Sequence, residues 1–237
     1  MPVSKSTADF FDQLNKVPSL SRESFAPVNS RIPLCVCVDT SYSMGAYRDK
    51  EGKSTVERGV ADLIIELKAS PETKDTVDIC ILTFGDKGVT AYSSDKFISV
   101  NSRDADIHFD FSGGSPMYEA VETAIDKVRE CINTYTKNKK TYEHGWVILF
   151  SDSQADDTIS AGKSKARRVA DINRKKSSDI RIICGCYGRD TGAFRGFAAY
   201  DDIQYAEEYT HFSDYIKMLS HSLRMESKSQ YAGAGLG

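Results

Sequence analysis

Three short stretches of this chain gather oxygen-bearing side chains in a pattern that suits a hard cation. Asp39-Thr40-Ser41-Tyr42-Ser43 closes one apolar run, Ser112-Gly113-Gly114-Ser115-Pro116 precedes a helical pattern, and Ser151-Asp152-Ser153 closes another apolar run. Each stretch offers carboxylates or hydroxyls, and none contains His or Cys. Mg²⁺ prefers such oxygen donors, takes octahedral geometry and keeps several waters. Asp39, Ser41, Ser43, Ser115 and Asp152 are the candidate ligands, some acting through water. Neutral hydroxyls leave the ion under-neutralised, so it favours an anionic ligand from outside. The alternation D-x-S-x-S sends Asp39, Ser41 and Ser43 to one side of a loop, and Gly113 and Gly114 let backbone approach closely. Any one cluster alone has a plainer explanation, because Ser and Asp are good helix N-caps.

The elements that must position these residues alternate between strand and helix. IPLCVCVD (32–39) is a continuous apolar run ending in an acid, the mark of a parallel strand buried on both faces. Residues 54–70 place Val56, Val60, Leu63, Ile64 and Leu67 at helical spacing, with Pro71 just beyond. TVDICILTFG (76–85) is a second buried strand. VTAYS (89–93) follows too soon for a crossover helix and is expected to run antiparallel through a hairpin at Gly85–Gly88. Residues 115–135 form a long amphipathic helix, with Pro116 and Glu119 in its first turn. WVILFSD (146–152) and IRIICGCYG (180–188) are further strands. Residues 159–176 form a polar, basic helix, 203–206 a short edge strand and 211–227 a closing helix.

The expected architecture is α/β: a doubly wound, mostly parallel six-stranded sheet with one antiparallel strand near its edge and helices on both faces. In such sheets ligands bind beyond the carboxyl ends of the strands, where the strand order reverses. Residues 1–30 form a leader, 31–226 the domain and 227–237 a small, Gly-rich flexible tail.

Composition narrows the function classes. The 237 residues are 40% apolar and 27% charged, which suits one sizeable soluble domain. Thirty-one Lys and Arg against 34 Asp and Glu give a net charge of −3, so no electrostatic reason favours nucleic acid or an anionic membrane as partner. The basic run Lys163–Lys176 is read as a solvated helix face. No apolar stretch reaches the ~18–20 residues of a membrane span. The N-terminal MPVSKSTADFFDQL has no apolar signal core, so a cytoplasmic protein is expected. Five of the six cysteines (Cys35, Cys37, Cys80, Cys184 and Cys186) lie in apolar strands and Cys131 in a helix, as buried thiols would.

Taken together, the clusters resemble the von Willebrand factor A domain and its metal-ion-dependent adhesion site (MIDAS). V-D-T-S-Y-S-M (38–44) resembles the family's first motif, G-G-S-P-M-Y-E-A (113–120) the second and V-I-L-F-S-D-S (147–153) the third, in the family's order. The resemblance covers about residues 31–226. It implies that Ser41, Ser43 and Ser115 are hydroxyl ligands of Mg²⁺, or of Mn²⁺ or Ca²⁺. Asp39 and Asp152 would bind directly or through water, and a partner protein would supply an Asp or Glu to the open position. Two departures stand out. Ser115 occupies the position of the usual Thr and lacks the methyl that fixes its rotamer. Tyr42 replaces a common Gly and is expected to point away from the metal, toward the partner. The loop Gly45–Ser54 is longer than in compact members and is expected to shape partner choice.

Asp156 and Asp157, near the same rim, are expected in a solvated loop. Within the family the chain looks similar to stand-alone cytosolic bacterial proteins associated with tellurite and other toxic-anion resistance, which work beside kinase- and phosphatase-like partners. The features are the lack of a signal or anchor, the strand I-C-G-C-Y-G, and a final Phe/Tyr-containing helix followed by Ser-rich residues.

The competing class is a Mg²⁺-dependent phosphoryl-transfer or hydrolytic enzyme on a similar sheet. Position 41 is Ser, so the D-x-D pair of aspartyl-phosphate hydrolases is absent, and the chain has no P-loop. No Lys or Arg in the three motifs is placed to stabilise a transferring phosphate. His108, His144, His211 and His221 all lie outside them. The expectation is a binding module with no catalytic residue and no organic cofactor.

Overall fold

The computed structural model describes residues 30–156, 180–187, 191–198, 203–205 and 216–225. Strand β1 (Ile32–Asp39) runs through the middle of a sheet, and every one of its eight residues is buried. Its alternating side chains split between two cores. Leu34, Val36 and Val38 face one side, while Cys35 and Cys37 face the other. Period-2 alternation thus sorts an unbroken apolar run onto two covered faces.

Helix α1 (Thr55–Ala69) covers the first face. Ser54 caps it by accepting from the Glu57 N–H at 3.3 Å, and Val56, Val60, Leu63, Ile64 and Leu67 point inward. Ile216, Leu219 and Leu223 from helical residues 216–225 join that core. Helix α2 (Met117–Lys137) covers the second face through Ala120, Val121, Ala124, Ile125 and Val128. Small Ala residues let this helix lie close to the sheet, and each buried Val or Ile contributes about 1.5–3 kcal/mol.

The remaining strands are β2 (Val77–Gly85), β3 (Gly88–Ala91), β4 (Ile98–Ser99), β5 (Gly145–Ser151), β6 (Ile180–Cys186) and β7 (Ile203–Tyr205). The order is β3-β2-β1-β5-β6-β7, parallel from β2 through β7. The hairpin at Gly85–Gly88 makes β3 antiparallel to β2, as expected. The two-residue β4 was not anticipated. It pairs antiparallel with Asp78 and Ile79 lower on the same edge of β2, so seven strands occupy six sheet positions. A two-residue strand carries no periodicity to read.

Element ends shift by one or two residues from expectation. The long helix begins at Met117, with Pro116 at its cap. The expected helix 159–176, Asp157, nearly all of the leader 1–30 and the tail 227–237 lie outside the described residues. All six cysteines are buried thiols. No helix among the described residues is long and apolar enough to cross a membrane.

From β1 the chain passes outward to β2 on one side, and later to β5 on the other. The order therefore reverses between β1 and β5. The carboxyl ends of these two strands carry Asp39 and Ser151.

Candidate metal centre

Asp39 closes β1 with no exposed surface. Its Oδ1 accepts the Ser41 backbone N–H at 2.8 Å, turning the chain sharply out of the strand. Its Oδ2 accepts two hydroxyls, Ser115 at 2.9 Å and Ser151 at 2.6 Å. Both carboxylate oxygens are thus already engaged by donors. Burial pushes the Asp39 carboxyl up to about 6, and the bonds from Ser151, Ser41 and Ser115 pull it partly back.

Beyond Asp39 the chain enters a 3-10 turn, Ser43–Ala46, pinned by buried Met44. The turn brings the Ser41 and Ser43 hydroxyls to 3.2 Å of each other. Tyr42 between them is 81% exposed, as its expected outward orientation requires.

The second loop is stitched to the first by backbone. Ser112 N–H donates to Thr40 O at 2.8 Å and Tyr42 N–H to Gly113 O at 3.2 Å. Asp156 lies exposed in a loop, as expected, and in addition holds Ser115 from both sides. Its carboxylate accepts the Ser115 N–H at 2.7 Å, and its own N–H donates to Ser115 O at 2.9 Å. Gly114 leaves room for this contact, since a Cβ there would force the Asp156 carboxylate to move.

Asp152 lies just past β5 and is buried. Its Oδ1 accepts the Gln154 N–H at 3.2 Å, while its buried Oδ2 has no hydrogen-bond partner among the described residues. The next residue, Ser153, adopts φ +69°, a left-handed conformation uncommon outside glycine. Its buried hydroxyl also lacks a partner among the described residues. Its N–H donates to Ser151 Oγ at 3.0 Å.

The structure therefore links four of the five expected ligands directly: Asp39, Ser41, Ser43 and Ser115. Asp152 joins through its neighbour Ser151. Ser151, Asp156 and Ser153 were not foreseen in these roles. For Ser151 a signal existed, a fully buried hydroxyl at the carboxyl end of an apolar strand. Its bond to Asp39 needed the strand order to be known.

The donor set fits a hard divalent cation. All of it is oxygen, it includes two carboxylates, and one buried carboxylate oxygen is left for a cation to satisfy. Asp39, Ser41, Ser43, Ser115 and Asp152 would hold the ion. Among the described residues no group of three or more His, Cys, Asp and Glu forms a metal cluster.

The loop Gly45–Ser54 closes on itself beside the site. Asp49 Oδ1 accepts the Glu51 and Lys53 N–H groups, each at 2.9 Å, and Asp49 Oδ2 pairs with Arg58 at 3.0 Å. Tyr47 packs edge-on against Tyr187, with ring centroids 5.3 Å apart.

No family model matches the sequence, and no curated protein matches it. Solved structures do match in shape. The pilus adhesin SpaC from Lactobacillus rhamnosus GG aligns at 10% identity and TM-score 0.54, over 84% of this chain and 30% of that one. Proximal thread matrix protein 1 of the mussel byssus, in a structure with a zinc-occupied MIDAS motif, aligns at 13% identity and TM-score 0.53. That match covers 83% of this chain and 47% of the other. The N-terminal domain of TFIIH p34 aligns at 11% identity and TM-score 0.55, over 79% of this chain and 97% of that domain. The chain thus spans less than half of the adhesin and of the matrix protein. At these identities the likeness concerns the fold, and that fold is of the von Willebrand factor A type.

Proposed function

We propose that this chain is a metal-dependent interaction module, which grips a partner's Asp or Glu through a divalent cation held by Asp39, Ser41, Ser43, Ser115 and Asp152. The observation that carries this is an asymmetry between the two buried carboxylates. Asp39 has both oxygens engaged by donors and so orients the hydroxyls. Asp152 keeps one buried oxygen without a partner among the described residues. A cation satisfies that oxygen, and hydroxyl ligands leave the ion enough positive charge to attract an anionic group. The zinc-occupied MIDAS of the mussel matrix protein, on a similar fold, supports the reading of a divalent metal in general. Mg²⁺ is the proposed occupant, with Mn²⁺ and Ca²⁺ as substitutes.

The module comprises residues 31–226, works in the cytoplasm and needs no turnover. Its partners include kinase- or phosphatase-like proteins of a tellurite or toxic-anion resistance system. The test is a pull-down from the native cell with and without EDTA, using wild type and Asp39→Ala. Partner capture that EDTA and Asp39→Ala both abolish supports the proposal. Phosphatase, ATPase or nuclease turnover lost in Asp39→Ala would replace it with an enzymatic function.

A further inference from the structure

Two cavities beside the metal-binding loops form one trough. The first, about 300 Å³, is lined by Gly85, Asp86, Gly114, Ser115, Pro116 and Asp156. The second, about 220 Å³, runs from Thr40, Ser112 and Asp86 across the β2–β3 edge to Tyr92, His108 and Asp110. They share Gly85 and Asp86, so the trough begins at Ser115 and leads away over Asp86.

Asp86 is held rigidly relative to the proposed cation. Its N–H donates to Ser112 O at 3.0 Å. Its Cα lies so close to Gly113, two residues from Ser115, that a Cβ on Gly113 would stand 2.4 Å away. Tyr92 and Phe109, stacked edge-on with centroids 5.2 Å apart, wall the far part.

The charges along this path are unbalanced. Asp86 and Asp110 are exposed, and neither carboxylate has an ion pair or hydrogen bond among the described residues. His108 is already engaged with Asp106 at 3.1 Å. Among the described residues that leaves Lys87 as the one fixed cation lining the trough, against three carboxylates, Asp86, Asp110 and Asp156. A long side chain ending in a cation fits such a space, with its stem against Tyr92 and Phe109 and its head between the acids.

We infer that the partner segment carries Lys or Arg within two residues of its metal-binding Asp or Glu, and that this basic side chain lies in the trough between Asp86 and Asp110. The inference rests on the proposed metal-dependent grip and adds the partner's chemistry to it. The two acids select the segment, while the cation supplies the anchor.

The test is selection of random phage-displayed dodecapeptides on the full chain in Mg²⁺, with bound phage released by EDTA. Wild type is expected to enrich Asp or Glu flanked by Lys or Arg. The double variant Asp86→Asn, Asp110→Asn is expected to keep the acid and lose the basic flank. For one selected peptide, exchanging the flanking Lys for Glu is expected to weaken wild-type binding about threefold to fivefold, the range of an exposed ion pair. The same exchange should leave the double variant's affinity unchanged. Acidic peptides enriched without a basic flank, or identical flanks from both proteins, overturn the inference and leave the metal-dependent grip standing. If EDTA releases no acidic peptides at all, the grip itself fails and the inference falls with it. The wild-type peptide exchange decides the matter even if the double variant folds poorly.

Discussion

The hydroxyl of Ser151 donates to Asp39 Oδ2 at 2.6 Å across the seam between β5 and β1. Val38 stands opposite Phe150 in the parallel register, so the next pair brings Asp39 beside Ser151. Ser151 Oγ also accepts the Ser153 N–H, which ties the loop bearing Asp152 to the carboxylate that orients the serines. One hydroxyl therefore couples both acids of the proposed centre.

Removing that hydroxyl tests the coupling. Ser151→Ala should lower Mg²⁺ affinity about 10- to 100-fold, the usual cost of losing a group that orients a ligand. The metal-free protein should lose about 2 kcal/mol, since a hydrogen bond to a buried carboxylate is lost. Calorimetric titration with Mg²⁺ and chemical denaturation check the two effects separately.

Metal-linked stability separates the two carboxylates from the rest of the fold. A ligand that binds only the native state adds about 2.7 kcal/mol at one hundred times its Kd. Thermal melts of wild type should rise with Mg²⁺ or Mn²⁺, whereas Asp39→Ala and Asp152→Asn should show no rise. A persistent rise in either variant places the ion elsewhere.

Asp39 also sets a pH dependence. Its carboxyl is raised from 3.8 to about 6 by burial, so between these values the folded chain binds more protons than the unfolded one. The contribution of Asp39 is therefore fully present below pH ~4 and is lost as pH rises through ~6, a change of about 3 kcal/mol. Denaturation of the metal-free protein across pH 4–7, with Asp39→Asn as reference, isolates it. The variant should lack this downward slope. Added Mg²⁺, which binds the charged carboxylate and so lowers its pKa in the folded chain, should flatten the slope in wild type between pH 4 and 6.

The second loop has its own test. In Gly114→Ala the new methyl would sit 2.1 Å from Asp156 Oδ2, so the carboxylate must leave the Ser115 N–H. Mg²⁺ affinity should fall about tenfold with a stability loss of about 1–2 kcal/mol. Gly113→Ala should cost more, because it adds a left-handed φ of +72° and a clash with the Asp86 backbone. Denaturation midpoints of the two variants rank the effects.

Local sequence determined much of this protein. Unbroken apolar runs at 32–39 and 146–152 specified strands buried on both faces, because only a two-sided core tolerates such a run. Helical spacing of Val56, Val60, Leu63, Ile64 and Leu67 specified one covering helix, and the short gap between β2 and β3 forced a hairpin. The D-x-S-x-S spacing was visible as well, since it lies in a single turn, and Asp39, Ser41 and Ser43 are held together there. Tertiary structure decided what no local pattern encodes. Strand order placed Ser151 against Asp39, 112 positions apart. Loop packing made the exposed Asp156 a clamp on Ser115 as well. Which carboxylate has both oxygens engaged and which retains an oxygen without a partner among the described residues depends on donors arriving from other strands and loops. That division between Asp39 and Asp152 exists only once the sheet has closed around them.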